Sequence, residues 1–460
     1  MKYDIIVVGA GSAGCMAALT AAKRNFDVCL IDAKPKNRIG DKICGNAVSY
    51  HHFEEAGFNI LDEMKTNEID GIIIYTPSLG YWKVPGGKYK GCMLNRYVFG
   101  QLLLDFATDA GAKLIDKTIV KKPIIEKNFV KGVEVFSSGK IYGDIVIDAS
   151  GLRSKFRSEL PSDFGIEEIK DKDVNCAYRE IRKIKHKVEN KNYCEIYLNP
   201  ENFPGGYGWI FPHDENTVNV GLGVQKLPNH PNPKKRLYET LLKMELFEDS
   251  KILEINGVKQ AGGMDVSTRR PLTSLVGNGF LIAGEAGSIV DPITGGGNGQ
   301  AVVSGKLASE VACNALENNN PSKENLWLYN FELYTKSYGY KYLPLDALRI
   351  LLQSLTSKDI DYIRNQEIIR EEDLIALTTE TELRLSILEK AVRTLKGIKR
   401  FDLMRNLNYV TRIMRKLQEI CLEYPKNPEG FYEWKEEVDL IFSNLETKFK
   451  PHALWTSKSI

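Results

Sequence analysis

The chain has 460 residues, 43% of them hydrophobic and 27% charged, with a formal net charge of +2. That length sustains a large core split into two or three domains, and near-neutral charge argues against a nucleic-acid partner. The eight cysteines are scattered without a C-x-x-C pair, so neither a metal site nor a disulfide framework is expected.

The first 32 residues carry the strongest local signal. Tyr3 to Val8 reads as a buried parallel strand, Ser12 to Arg24 as an Ala-rich helix ended by Asn25, and Phe26 to Ile31 as a second strand. Gly9, Gly11 and Gly14 form G-x-G-x-x-G at the strand-to-helix turn, and Asp32 follows at the tip of the second strand. Glycines there allow a tight turn at Gly9, close approach of backbone N–H groups to a pyrophosphate at Gly11, and helix-to-strand packing at Gly14. A carboxylate at the distance of Asp32 meets an adenosine ribose. This is a dinucleotide-binding unit.

Further along, Cys44 stands in RIGDKICGNA (38–47), and Arg96 opens LNRYVFGQLLLDFA, which reads as a helix. The adjacent His51 and His52 follow the cysteine loop; neighbours on a helix are expected to point apart, which argues against a catalytic pair. Asp144 to Ile147 is a strand that ends in DASGLRSKFR. Segments 71–97 and 165–271 alternate apolar and polar residues between Gly and Pro turns, as in TVNVGLGV (217–224), and read as an antiparallel sheet. Within PGGYGWIFP (204–212), Tyr207, Trp209 and Phe211 alternate along a strand and share one face, an aromatic wall.

GFLIAGEAGSIVDPITGGGNGQAVVSG (279–305) returns to strand-then-glycine chemistry, with Gly284, Glu285 and a glycine run at 295–299 opening the helix Gln300 to Leu316. The helix start carries roughly half a positive charge, suited to an anionic group. From Pro321 onward glycine is rare, and apolar residues recur at helical spacing in LRLSILEKAVRTL and YVTRIMRKLQEICLEY. Residues 390–416 hold nine Lys or Arg against Asp402 alone, interleaved with apolar positions, a pattern that a solvated helical face or an anionic membrane surface accommodates.

The expected fold class is therefore α/β: a nucleotide-binding parallel sheet in pieces (1–70, 98–164 and 272–320), an inserted antiparallel domain (71–97 and 165–271) and a helical region (321–460). No signal peptide precedes the first strand and no run of 18 apolar residues occurs, so a cytoplasmic protein with at most peripheral membrane contact is expected.

These motifs resemble the flavoprotein superfamily built on the glutathione-reductase and p-hydroxybenzoate-hydroxylase fold. The resemblance covers about the first 320 residues and implies one FAD. It rests on the Gly9–Asp32 fingerprint, on Asp148, Gly151, Arg153 and Arg157 of DASGLRSKFR with Ser150 inserted, and on Gly284-Glu285, where the superfamily usually has Gly-Asp. It implies cofactor contacts at Gly9, Gly11, Ala13, Gly14, Asp32, Ala33, Arg96, Val120 and Asp148, and at Glu285, Gly297 and Asn298. Within the superfamily, RIGDKICGNA and PGGYGWIFP resemble the geranylgeranyl reductase family, particularly its archaeal branch. That implies Lys42, Cys44, Gly45 and Ala47 against the isoalloxazine, with Asn46 in place of the usual Asp. It implies Tyr207, Trp209 and Phe211 along a lipid tunnel.

Saturating an isolated alkene needs a proton at one carbon as hydride reaches the other. Cys44, Tyr207 or a bound water are the candidate donors, and an aromatic wall stabilises developing positive charge. The implied partners are a geranylgeranyl lipid and an electron donor such as ferredoxin or NADPH. A flavin monooxygenase, a halogenase or a non-catalytic prenyl-lipid carrier of the same fold are the competing readings.

Overall fold

A computed structural model describes residues 2–87, 90–136, 139–255, 257–379 and 400–451. The β-branched strands Lys2–Val8 and Val28–Ile31 are buried and pair in parallel, Ile5 opposite Val28 and Val8 opposite Ile31. Gly9 and Asp32 therefore emerge side by side at the carboxyl edge of the sheet, where doubly wound folds bind nucleotides. Lys113–Ile115 extends the sheet on one side; Gly139–Asp148 and then Phe280–Ile282 extend it on the other, all parallel. The hairpin of Val120–Glu126 and Phe129–Val135 and the short strand Val276–Gly277 complete eight strands. The fingerprint helix runs Ser12–Lys23, and Asn25 follows in the left-handed region at φ 63°, a conformation that asparagine tolerates.

The second sheet also has eight strands, with Gly208–Pro212 between Tyr193–Tyr197 and Thr217–Gln225. It is antiparallel, as expected, except at one seam: Tyr193–Tyr197 runs parallel to Gly71–Tyr75. Those strands come from chain segments separated by part of the nucleotide-binding sheet, so no hairpin dictates their direction. The long excursion leaves either orientation open.

Helices Lys323–Lys336, Tyr338–Leu352, Ser357–Asn365, Glu371–Thr379, Phe401–Leu422 and Phe431–Lys448 make the C-terminal region. LRLSILEKAVRTL, and the basic positions 390–399, lie outside the described residues. The apolar stripe of Phe401–Leu422 (Leu403, Leu407, Val410, Met414, Leu417) is buried and packs on Tyr338–Leu352. The apolar face of this helix is thus committed to the interior. No described helix is long and apolar enough to cross a membrane.

Buried charges tie this region to the sheets. Arg349 Nε donates to Asp346 at 2.7 Å and its Nη2 lies 3.7 Å from Asp173, while Arg270 reaches Asp346 at 3.2 Å and Asp439 at 3.4 Å. Arg269 lies 3.2 Å from Glu167, whose other oxygen accepts from Thr273 N–H and Oγ1. Burial opposes ionisation of Glu167, but Arg269 and Arg270 outweigh it and hold the carboxyl well below the usual range. Asp346 is depressed in the same way, with Arg349 and Arg270 overcoming burial. Depressed carboxyls contribute stability above the ordinary range near pH ~4, and that stability is lost as pH falls below it. We expect Glu167→Gln to melt well below wild type at pH 7, with the gap in Tm closing as the pH is lowered beneath about 4. An unchanged gap across that range would show that the carboxylate contributes nothing through ionisation.

Candidate active site

Each glycine of the fingerprint meets a different constraint. At Gly9, with φ +100°, a Cβ would lie 2.5 Å from the Ala149 carbonyl oxygen; at Gly14 it would lie 1.7 Å from that of Gly9. At Gly11, the N-cap of the fingerprint helix, a Cβ would meet nothing within 4 Å. The open space lies where a ligand's phosphates approach backbone N–H groups. Asp32 accepts from Ala10 N–H and Lys34 N–H, both at 2.7 Å, so its carboxylate braces the turn beside that opening. Ala33 is exposed beyond it, and Val120 is half-buried at the start of the neighbouring strand.

Arg96 is the clearest sign of a missing anion. It is buried, donates to Ser12 Oγ at 3.0 Å, and leaves Nε without an acceptor. No carboxylate among the described residues pairs with it, and burial disfavours its charge. An unmatched buried cation is costly, and a diphosphate over Gly11 supplies the missing partner. Glu285 likewise holds Lys42 Nζ at 3.2 Å through one oxygen and leaves the other buried without a partner. Ala13 packs where the Gly284 turn meets the fingerprint helix. These residues fit FAD.

Asp148 braces its own loop. Its side chain is fully buried and accepts from Ser150 N–H, Ser150 Oγ and Ser154 Oγ, so it shapes its own loop. Arg157 donates to the carbonyls of Ala286 and Leu152, tying that loop to the Glu285 turn, while exposed Arg153 pairs with Asp265.

The cysteine loop lies between the glycine run and the aromatic strand. Cys44 Sγ accepts from Asn46 N–H and from Asn298 Nδ2, each at 3.3 Å, and Asn298 is the first residue of the helix Asn298–Glu317, capped by Gly297. Asn46 holds φ 71°, and its amide contacts His213 Nε2, whose Nδ1 meets Thr66 Oγ1. Burial and the nearby Arg179 push the His213 imidazole down to about 4, so it is neutral. Tyr207, Trp209 and Phe211 follow one another on one face, with ring centroids 6.0 and 6.1 Å apart. The Tyr207 hydroxyl donates to the Thr294 carbonyl, and burial pushes its pKa up, which weakens it as an acid.

Asn219 joins wall and loop. Wholly buried, it accepts from Trp209 Nε1 at 3.0 Å and donates to the carbonyls of Cys44 and Gly45 at 2.9 and 3.1 Å. Sequence reasoning passed over it and over His213. A single asparagine in an apolar alternation was the available signal for the first, and nothing marked the second. His51 and His52 do not point apart as expected; their rings lie 3.8 Å apart and both line the cavity, because their helix is only five residues long and packs at Gly299.

Cys44, Gly45, Ala47, the glycine run and the aromatic wall line one cavity of about 640 Å³. It continues between the second sheet and the C-terminal helices, reaching Leu345, Ile360, Ile363, Leu407 and Val410. Its volume is that of a small-molecule site, and its lining is mostly aliphatic and aromatic.

Fold and site together define an FAD-dependent oxidoreductase with an apolar substrate cavity. Residues 4–154 match the model of the FAD dependent oxidoreductase family, and residues 173–259 match the geranylgeranyl reductase catalytic domain. The digeranylgeranylglycerophospholipid reductase of Sulfolobus acidocaldarius is 37% identical over 97% of this chain and 98% of its own, and reductase 2 of Methanopyrus kandleri is 30% identical over 80% and 95%. The chain belongs to the digeranylgeranylglycerophospholipid reductase family. A geranylgeranyl bacteriochlorophyll reductase-like structure from Thermoplasma acidophilum superposes with a TM-score of 0.74 at 25% identity, covering 89% of this chain and 99% of its own. The myxobacterial halogenase CndH, at 16% identity and a TM-score of 0.63 over 92% and 97%, shares the fold.

Two outcomes test the cofactor cradle and the asparagine bridge. Arg96→Met should fold and melt no lower than wild type without cofactor, because a buried charge is removed, yet purify with little or no FAD; full FAD occupancy would show that Arg96 has another partner. Asn219→Leu leaves three buried groups unmatched at about 1–3 kcal/mol each. It should lower Tm and speed maleimide labelling of Cys44, read in a Cys176→Ser background because only Cys44 and Cys176 are not buried.

Proposed function

We propose that this chain saturates the C=C bonds of geranylgeranyl chains in archaeal membrane glycerophospholipids, using FAD. The single observation that carries this reading is the continuous apolar cavity running from Cys44 and the Asn298 helix start to the C-terminal helices. Its shape suits a long unsaturated hydrocarbon, and the family it belongs to is named for such a substrate.

The adenosine and diphosphate are held by Gly9, Gly11, Ala13, Gly14, Asp32, Ala33, Arg96 and Val120, with Asp148 acting through its loop. The flavin lies toward Lys42, Cys44, Gly45, Ala47, Glu285, Gly297 and Asn298. When bound, the cofactor supplies hydride. The chain's own residues do the rest: the glycine run presents a helix N-terminus where negative charge accumulates, and Tyr207, Trp209 and Phe211 present ring faces to developing positive charge on the alkene. The mostly apolar lining lowers the local dielectric, which strengthens both effects. Cys44 is the catalytic thiol of this reading, held by Asn46 and Asn298 where a chain passing along the wall meets the loop. Tyr207 positions the wall against Thr294. Electrons arrive from ferredoxin or from transiently bound NADPH, since only one nucleotide fingerprint is present. The likeness to halogenases extends to the fold alone, and the orphaned Arg96 speaks against a carrier that binds prenyl groups without FAD.

The test is single-turnover reoxidation of dithionite-reduced protein by a geranylgeranyl glycerophospholipid, with mass spectrometry of the product. Hydrogen added across the double bonds supports the reading; added oxygen or halogen, or a lipid bound but unchanged, overturns it. Cys44→Ala should retain FAD and slow this turnover by about 10² or more. Wild-type rates and product distribution would return Cys44 to the role of a small packing residue.

A further inference from the structure

Each alkene that is saturated consumes one proton, and the cavity that receives it is walled mostly by apolar side chains. A row of polar groups leads from the surface to that wall. Glu55 is exposed at the surface, and its Oε2 lies 3.5 Å from the hydroxyl of buried Tyr338. That hydroxyl lies 2.9 Å from His52 Nδ1, and the His52 ring lines the cavity against the backbone of Gly299, one residue beyond Asn298. We propose that Glu55, Tyr338 and His52 form a proton inlet that delivers solvent protons to the substrate cavity, with His52 as its inner end.

The hydrogen bonds suit a relay because both neutral tautomers of His52 are satisfied. With the proton on Nδ1, His52 donates to Tyr338, Tyr338 donates to Glu55, and Gln300 Nε2 donates to His52 Nε2 at 3.3 Å. With the proton on Nε2, Tyr338 donates to Nδ1 and the Gln300 amide, turned over, accepts from Nε2 while Tyr342 donates to it; the present contact to Tyr342 is 2.7 Å. A purely structural histidine needs only one of these arrangements. The step balances: the Cys44 thiol of the reading above gives its proton to one alkene carbon as hydride reaches the other and is resupplied by the Nε2 proton of neutral His52, while Nδ1 takes the Tyr338 proton; Tyr338 is resupplied through Glu55 from water, and the ring turns over to regain the Nε2–H tautomer. Surrounding groups keep the His52 ring neutral, the form that shuttles. Burial lowers its pKa, and His51 and Lys341 add to that, with Lys341 on Tyr338–Leu352 flanked by Asp291 and Glu55. Burial raises the Glu55 carboxyl, which keeps it able to carry a proton.

This inference rests on the reductase reading, and Tyr338→Phe separates the two. The variant keeps the ring stacked on Tyr342, 5.3 Å away, and removes only the hydroxyl. It should retain FAD and the rate of reoxidation by oxygen. Reoxidation by a geranylgeranyl lipid should slow by about tenfold or more, with an enlarged solvent deuterium effect. Glu55→Gln should give a smaller slowing of the same kind. In protein labelled with 15N-histidine, Tyr338→Phe should shift the His52 ring nitrogen signals toward a single tautomer. Wild-type lipid turnover and isotope effect in Tyr338→Phe would overturn the inlet, as would equal slowing by lipid and oxygen, or a larger loss in Lys341→Met than in Tyr338→Phe. A wild-type enzyme that no geranylgeranyl lipid reoxidises overturns the reductase reading instead.

Discussion

The side-chain amide of Asn219 holds the two halves of the site in register. It lies on a strand of the second sheet, yet two of its three hydrogen bonds go to carbonyls of the cysteine loop, which leaves the nucleotide-binding sheet. The third receives Trp209 Nε1, so the indole that forms the middle of the wall is oriented by the same group that orients the loop. Every hydrogen of the amide is used, and no water is needed to complete it. Made together, such bonds contribute about 1 kcal/mol each, whereas a missing partner costs about 1–3 kcal/mol per orphaned group. The arrangement is therefore all-or-none. The aromatic wall and Cys44 stay in fixed relation, and Gly45 lies flat enough for the Phe211 ring to pass 3.3 Å from where a Cβ would stand.

Charge around the opening is balanced only when an anion is counted in. Arg96 is buried beside Ser12 with an unused donor, the helix starts at Ser12 and Asn298 both direct N–H groups toward the site, and Lys42 is already matched by Glu285. A protein that left these positive ends unmatched would lose stability for no return. A bound flavin would meet the same bias, which would favour its reduced, anionic form.

Most of the nucleotide half was legible in the sequence because its constraints are local. Gly9, Gly11, Gly14 and Asp32 sit within one strand-helix-strand unit, where spacing alone sets geometry, and the helix and strands fall within two residues of the expected spans. The substrate half was legible only where period-2 alternation exposes a face, as in Tyr207, Trp209 and Phe211. What escaped depends on contacts distant in sequence. Asn219 meets Cys44 across 175 positions, His52 meets Tyr338 across 286, and the parallel seam joins strands 71–75 and 193–197. Neither spacing nor composition registers such meetings. The serines that occupy the Asp148 oxygens are, by contrast, near neighbours in the sequence, at 150 and 154.

The helical region shows how one pattern serves two physical ends. A basic helix with an apolar stripe is equally a membrane-surface element and the wall of an internal cavity, since both need hydrocarbon on one side and charge on the other. In Phe401–Leu422 the apolar stripe packs inward. Leu407 and Val410 close the cavity that begins at Cys44, and the helix beneath them contributes Tyr342 and Leu345 to the same enclosure. Without those helices, the aromatic strand would face water. The described helices of the C-terminal region supply that cover, and the buried ion network at Arg270, Asp346 and Arg349 fastens them to the sheets. A mostly apolar lining in turn gives a defined proton path its use, because hydrocarbon side chains carry no protons.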